Sequence, residues 1–299
     1  VNGFDVVRVI DQISARLGRG GASRPALRRL EAAPPATVEA EIRGLCANAY
    51  LGDGAALCRV LGRYKMLVDT RDDDVSAHLL LDGFWELWVT RALLGLIKPG
   101  MVCVDVGAHL GYFSLLMADL TGPGGQVHAF EPNAALRGRL ARSVAINGFD
   151  AMTCVHPWPL SDRDGAAVRL VAPPGRPGGG HIRPAGASEL RAGAAVLHTR
   201  RLDGFAEIPR VDVVKIDAEG SEQAIWRGMS GLIGQERPLC VLLEFAAARY
   251  PDPDAFLGEL TGAGLSLELA DPRRGLRPVS RAEVLAAPAA KDQMLVLRR

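Results

Sequence analysis

From Met101 onward, short and almost uninterrupted apolar runs alternate with amphipathic stretches, and this alternation restricts the fold more than any other feature of the chain. The apolar runs are MVCVDVG, QVHAFE (ending at Glu131), one near MTCVHP, VDVVKID (Val211–Asp217), PLCVLLEF (Pro238–Phe245), LSLELAD and the closing DQMLVLRR. Between them GYFSLLMADLTG, NAALRGRLARSVAINGF, SEQAIWRGM and DPDAFLGELTGAG read as helices. Strands that are apolar on both faces belong to a parallel sheet covered by helices on both sides. The last run has no helix after it and can slot in antiparallel. The pattern predicts an α/β, doubly wound, seven-stranded sheet.

The first hundred residues read differently. DVVRVIDQISARLG (Asp5–Gly18) and TVEAEIRGLCANAYL (Thr37–Leu51) have apolar residues at helical spacing, with Thr37 as an N-cap. YKMLVDT (Tyr64–Thr70) reads as a strand, and DGFWELWVTRALLGLIKPG (Asp82–Gly100) as a helix with a Pro-Gly stop. The resulting division is a mainly helical segment over 1–82, serving as a cap or for homo-oligomerisation, and a ligand-binding domain over 83–299. RLGRGGASRPALRR carries five arginines and no acid, which fits a solvated helix face or an RNA-binding arm. The stretch 172–193 has six Gly and four Pro in 22 residues, and reads as a lid or a disordered insert.

Composition bounds the function. A net charge of +1 over 299 residues argues against a protein built mainly to bind nucleic acid. The five cysteines show no metal-ligand spacing; Cys103 and Cys240 lie in apolar runs and read as small buried hydrophobes, in keeping with a reducing cytoplasm. No run approaches the roughly 18 consecutive apolar residues of a membrane-spanning helix. The start lacks a signal-peptide layout, and its first residue, Val1, points to trimming or processing.

The turn after the first strand reads Asp105-Val106-Gly107-Ala108-His109-Leu110-Gly111. Gly107 permits a tight turn, Gly111 permits close approach at a helix start, and the free N–H groups there favour an anionic group. Glu131 ends the second strand 20 residues beyond Gly111, where an acid accepts both hydroxyls of a ribose. Together these point to a nucleoside cofactor, either a nicotinamide dinucleotide or S-adenosylmethionine. The dinucleotide fingerprint needs G-x-G-x-x-G, with its middle glycine making room for a pyrophosphate. Here His109 stands in that place and would crowd a pyrophosphate, so the turn favours the methyl donor, with Asp105 facing its ammonium.

VDVVKIDAEGSEQAI puts Asp217 at the carboxyl end of the fourth strand, with Glu219, Gly220 and Glu222 in the next turn. Ligands of open α/β sheets bind at that end. Asp217 and Glu219 are therefore candidates for a base, a metal site or a substrate clamp, whereas Glu222 suits the start of the following helix.

The blocks VDVGAHLGYFSLLMA, VHAFEPN, SVAINGF, LSDRDG and VVKIDAEGSE, in this order, resemble the FkbM family of S-adenosylmethionine-dependent methyltransferases; the resemblance runs from about Gly83 to Arg299. It implies a class I methyltransferase fold acting mostly on hydroxyl groups of natural products or glycans. It also implies that Asp105, Gly107 and Gly111, with their neighbours Ala108, His109 and Tyr112, hold the methionine part of S-adenosylmethionine. Glu131, followed by Pro132, would bind the ribose, and Ser161 and Asp162 would sit near the adenine. Asp217 and Glu219 would line the reaction centre, with Asp217 also reaching the cofactor, and Glu86 would reach the cofactor pocket. The family's commoner residue at the His109 position is Asn, and the Gly-rich insert carries little of the family pattern.

Methyl transfer to an aliphatic hydroxyl by in-line displacement needs help from a base or a metal. The candidate catalytic residues are Glu219 and Asp217, then His181 of the insert, with Glu244 as a fourth. A metal is not assigned, because Asp217 and Glu219 lack a third ligand. His78 and His128 read as structural and Trp226 as core, while Trp158 either borders the adenine or packs. The leading reading is O-methylation of a small-molecule or glycan acceptor, with no nucleic acid or membrane partner. An RNA or protein methyltransferase using the Arg16–Arg29 stretch, a nicotinamide-dependent oxidoreductase and a non-catalytic scaffold remain open.

Overall fold

The computed structural model describes residues 27–173, 180–188, 196–208 and 210–299. The helix predicted over 5–18, most of the arginine-rich stretch and part of the 172–193 insert lie outside the described residues. In chain order the elements are α1 (Leu27–Ala32), α2 (Pro35–Leu45), β1 (Asn48–Gly52), β2 (Ala55–Val60), β3 (Tyr64–Asp69), α3 (Val75–Leu81), α4 (Leu87–Leu96), β4 (Val102–Val106), α5 (Tyr112–Thr121), β5 (Gln126–Phe130), α6 (Ala134–Ile146) and β6 (Thr153–His156). They continue with β7 (Ala167–Val171), β8 (His181–Pro184), β9 (Leu197–His198), β10 (Val213–Ile216), α7 (Glu222–Arg227), α8 (Ser230–Ile233), β11 (Cys240–Phe245), α9 (Pro253–Gly262), β12 (Ser266–Asp271), β13 (Gly275–Pro278), α10 (Arg281–Ala286) and β14 (Gln293–Arg298).

The main sheet has the order β13-β12-β14-β11-β10-β4-β5-β6. Strands β6, β5, β4, β10 and β11 run parallel, and β14 inserts antiparallel between β11 and β12. Seven of these eight strands are the predicted ones; the eighth, β13, forms a hairpin with β12 and was not anticipated. Side chains alternate across the sheet, so each face has its own core. Cys103 and Val213 join one cluster with α4, α5 and α6, whereas Val104, Val214 and Ile216 join the other with α7 and α9.

The N-terminal part departs from expectation. Helix α2 stops at Leu45, and its N-cap is Pro34 with no side-chain cap, not Thr37. The residues after it form a three-stranded antiparallel sheet, β1-β2-β3, rather than more helix. The turn from β1 to β2 is Asp53-Gly54 with φ of 50° and 76°, the left-handed pair that closes a tight hairpin. The helix predicted over 82–100 begins only at Leu87. Residues from α1 to α3 share the first core, through Leu30, Ile42, Val60, Val68 and Leu79, so the described part of 1–82 packs onto the sheet domain. The β3 edge is satisfied by α6: Leu67 N donates to Ser143 Oγ at 3.0 Å, and Lys65 N to Asn147 Oδ1 at 3.0 Å. Among the described residues no helix is long and apolar enough to cross a membrane.

Strands β7, β8 and β9 form a third small sheet, ordered β8-β7-β9. The described part of the Gly-rich insert therefore contains a strand, β8, paired antiparallel to β7.

Candidate active site

A cavity of about 400 Å³ opens at the carboxyl ends of β4, β5, β10 and β11, the ligand-binding end of a parallel sheet. Of the predicted residues, Glu86, Gly107, Ala108, His109, Tyr112, Glu131, Pro132, Asp217, Glu219 and Glu244 line it. Glu86, His109 and Glu219 share a further property: each is a non-glycine residue with positive φ, at 38°, 52° and 49°. Among the described residues the other two of this kind, Asp53 and Leu61, lie in the hairpin turns of the N-terminal sheet. A left-handed non-glycine backbone costs about 1–3 kcal/mol and concentrates at functional sites.

Gly107 has φ of 73°, and a Cβ there would lie 1.8 Å from the carbonyl oxygen of Asp217. The glycine thus lets the β4 turn touch the end of β10 and brings the two halves of the cavity together. Gly111 does not line the cavity. It precedes α5 at φ of 92°, and a Cβ there would meet Leu140 Cγ at 2.9 Å, so it serves the packing of α5 on α6.

Glu131 is 6% exposed. Its Oε2 accepts from His109 N at 2.8 Å and its Oε1 from Asn133 N at 2.7 Å. Burial lifts its pKa to about 7 against these two hydrogen bonds. Each carboxylate oxygen keeps a further lone pair, so both can still accept from a ribose. Burial pushes the His109 imidazole down to about 4, so it is neutral near pH 7. Its Nε2 is buried with no hydrogen-bond partner, and so is Oε2 of Glu86. Burial, then the charge of Asp217, raises Glu86 to about 7.

Asp217 and Glu219 meet Glu244, from the end of β11, with carboxylate oxygens all within 4.8 Å of one another. Glu244, the fourth candidate from the sequence, is thus the third acid of this group. Two cations missed by sequence reasoning answer these charges. Lys215 Nζ donates to Asp217 Oδ2 at 2.9 Å. Arg249, in the 3-10 turn Ala247–Arg249 after β11, donates to Glu219 Oε2 at 3.0 Å, pairs with Asp292 at 2.9 Å and forms a close ion pair with Glu244. Burial raises Glu219 to about 7, with Arg249 opposing. Asp217 is held low by Lys215 in spite of its burial, and Glu244 is pushed up by burial and by the charge of Asp217.

Glu222 anchors the loop that carries Glu219. Its carboxylate accepts from Ala218 N at 3.0 Å, from Gly220 N at 3.0 Å and from Tyr250 Oη at 2.7 Å. It opens α7, as its sequence position implied.

Besides Gly111, four expectations are corrected. Asp105 is fully buried and does not line the cavity; its Oδ2 accepts from Ser114 Oγ at 2.6 Å, which ties β4 to α5. Ser161 and Asp162 also stay out. Asp162 pairs with Arg163 at 3.1 Å, and the Ser161 carbonyl packs on Gly228. The residues just before them, Trp158, Pro159 and Leu160, line the cavity instead. His181, the first residue of β8, is exposed and does not line the cavity; the next strand residue, Ile182, lines it, and strand alternation turns His181 the other way. Trp226 is buried and His128 is 2% exposed, as structural residues should be.

No curated protein matches the chain. Among solved structures it is similar to an S-adenosylmethionine-dependent O-methyltransferase from Thermotoga maritima, at 13% identity and a TM-score of 0.41 over 83% of this chain and 94% of that one. It is similar to precorrin-6Y C5,15-methyltransferase from Geobacter metallireducens, at 15% identity and a TM-score of 0.42 over 76% and 94%. It is also similar to the O-methyltransferase TomG from Streptomyces achromogenes, solved with S-adenosylmethionine, at 14% identity and a TM-score of 0.37 over 66% and 72%. The model of the methyltransferase FkbM domain matches residues 105–265, more than half of the chain and nearly all of the strand tips that build the cavity. The chain belongs to the FkbM family of S-adenosylmethionine-dependent methyltransferases.

Proposed function

We propose that the protein methylates a hydroxyl group of a small molecule, natural product or glycan, with Glu219 as general base. The observation that carries this reading is the position of Glu219 in the cavity, on a left-handed backbone next to Asp217 and Glu244. An aliphatic hydroxyl has a pKa comparable to bulk water, about 15–16, and needs a partner for its proton. The best base titrates near the working pH. Glu219, at about 7, meets that condition, whereas Asp217 is kept ionised and occupied by Lys215.

The cavity also fits the cofactor. Glu131 has acceptor capacity left for the ribose, and the buried orphan oxygen of Glu86 calls for a donor. Phe130, Leu160 and Trp158 offer apolar and aromatic surface for a purine. S-adenosylmethionine, when bound, supplies an electrophilic methyl group on a sulfonium. The chain's own residues orient the acceptor, take its proton at the Glu219 carboxylate and exclude water. Arg249 holds Glu219 and Glu244 in place.

The test is transfer of labelled methyl from S-adenosylmethionine to a panel of hydroxylated scaffolds and glycans, with amines and RNA run alongside. Turnover on a hydroxyl that falls about 10²–10⁴-fold in Glu219→Gln, with S-adenosylhomocysteine binding retained, supports the assignment. Methylation confined to amines or RNA, or full activity in Glu219→Gln, refutes it.

A further inference from the structure

Lys215 has no place in the functional reading so far beyond holding Asp217, yet it is a charged group buried inside the sheet. It is 1% exposed, in the middle of a parallel strand, and it lines the cavity. Lysine is almost never fully buried unless paired. An ammonium has three donors. Among the described residues Nζ makes one hydrogen bond, to Asp217, and lies 4.8 Å from the centre of the Phe113 ring. Asp105, its register partner on β4, adds charge from outside the cavity; its Oδ2 accepts from Ser114 Oγ, and its Oδ1 is buried without a hydrogen-bond partner. Donor capacity therefore remains at Nζ, and it can be met from the cavity.

A second unmet group lies in the same cavity. Oε2 of Glu86 is buried and has no partner. Glu86 and Lys215 are close enough to feel each other's charge. Burying a polar group unpaired is costly, and more so for a charged one, so such groups persist where something completes them. One site thus presents a cation short of acceptors beside a carboxylate short of donors. The complement is a zwitterion, as carried by the amino-acid end of S-adenosylmethionine.

We propose that Lys215 receives the carboxylate, and Glu86 the ammonium, of the cofactor's methionine portion. This rests on the S-adenosylmethionine reading of the cavity. It moves recognition of the amino-acid end from Asp105, which the fold encloses, to β10 and to the residue preceding α4. Asp217 keeps Lys215 oriented, and the left-handed backbone of Glu86 turns its carboxylate inward.

The test uses calorimetric titration of S-adenosylhomocysteine and of methylthioadenosine, which keeps the nucleoside and the thioether but lacks the amino acid. Truncating one partner of a buried charge pair weakens binding by about 30-fold or more. Lys215→Met and Glu86→Gln should each lose that much affinity for S-adenosylhomocysteine while binding methylthioadenosine within about 3-fold of wild type. Equal losses for both ligands would make Lys215 a purely structural residue, and no loss for either would remove it from the cofactor's reach; both results overturn the proposal. Should the variants fail to fold, the unaltered protein still decides. Decarboxylated S-adenosylhomocysteine should bind about 30-fold more weakly than the intact compound, and equal affinities would contradict a carboxylate contact. Unaltered protein that binds methylthioadenosine as tightly as S-adenosylhomocysteine overturns this inference alone. Unaltered protein that binds neither overturns the cofactor reading as well.

Discussion

The backbone amide of His109 donates to Oε2 of Glu131 at 2.8 Å, which locks the turn after β4 to the end of β5. The bond depends on the left-handed backbone at His109, and it explains why a residue of this kind occupies the turn. Asn, Asp and His are the non-glycine residues that enter the left-handed region most readily.

Glu131→Ala should remove both a ribose partner and the anchor of the turn. The amides of His109 and Asn133 would lose their acceptor, at about 1–3 kcal/mol for each buried group left unpaired. Calorimetry should show S-adenosylhomocysteine affinity reduced about 100-fold or more, consistent with losing hydrogen bonds to a charged group. Unchanged affinity would rule Glu131 out as the ribose site.

His109→Asn should bind S-adenosylhomocysteine nearly as well as the original protein, because Asn tolerates φ of 52° and keeps the amide in place. His109→Val should melt earlier, by an amount equivalent to about 1–3 kcal/mol, since a β-branched residue is strained there. Thermal denaturation and binding of the two variants separate backbone shape from side-chain chemistry. Loss of binding in the Asn variant would assign the imidazole a direct role.

Gly107→Ala should damage the fold far more than Gly111→Ala. The new methyl at 107 meets the backbone oxygen of Asp217 at 1.8 Å, and that oxygen cannot move without breaking the β4–β10 contact. At 111 the obstacle is the flexible side chain of Leu140 at 2.9 Å. Comparable melting temperatures for the two variants would contradict this account.

Binding of S-adenosylmethionine should release protons near pH 6.5. Glu86, Glu131 and Glu219 are each lifted to about 7, so each is largely protonated below that value in the free protein. A cationic ligand favours their ionised forms, lowers their pKa values and expels protons. The release should fade by about pH 8.5, where all three are already ionised, and it should shrink in Glu86→Gln. Titrations in buffers of different ionisation enthalpy count these protons, and proton uptake at pH 6.5 would reverse the sign of the argument.

Much of this architecture is legible in the chain. The apolar runs disclosed seven strands because parallel strands are buried on both faces. Gly107, Glu131, Asp217 and Glu219 could be placed at strand ends because their blocks sit at the transition from strand to helix. The hairpin of the N-terminal sheet was missed although Asp53-Gly54 is a strong turn signal, since ANAYL continues the helical spacing of the residues before it. Lys215 also left a trace, because a lysine inside VDVVKID is an anomaly for a buried strand. Arg249 and Asp292 left none. They reach the cavity from a 3-10 turn and from the residue before β14, and only the antiparallel insertion of β14 beside β11 brings them to Glu244. Asp105 misled because an acid at the end of a strand can point to a ligand or, as here, to the helix behind it.

The most direct measurement is a crystal structure with S-adenosylhomocysteine bound. The account predicts the ribose hydroxyls on Glu131, the amino-acid end between Glu86 and Lys215, and the sulfur turned towards Glu219 with space beside it for an acceptor hydroxyl. A ligand bound elsewhere, or a sulfur with no carboxylate facing it, would contradict the account.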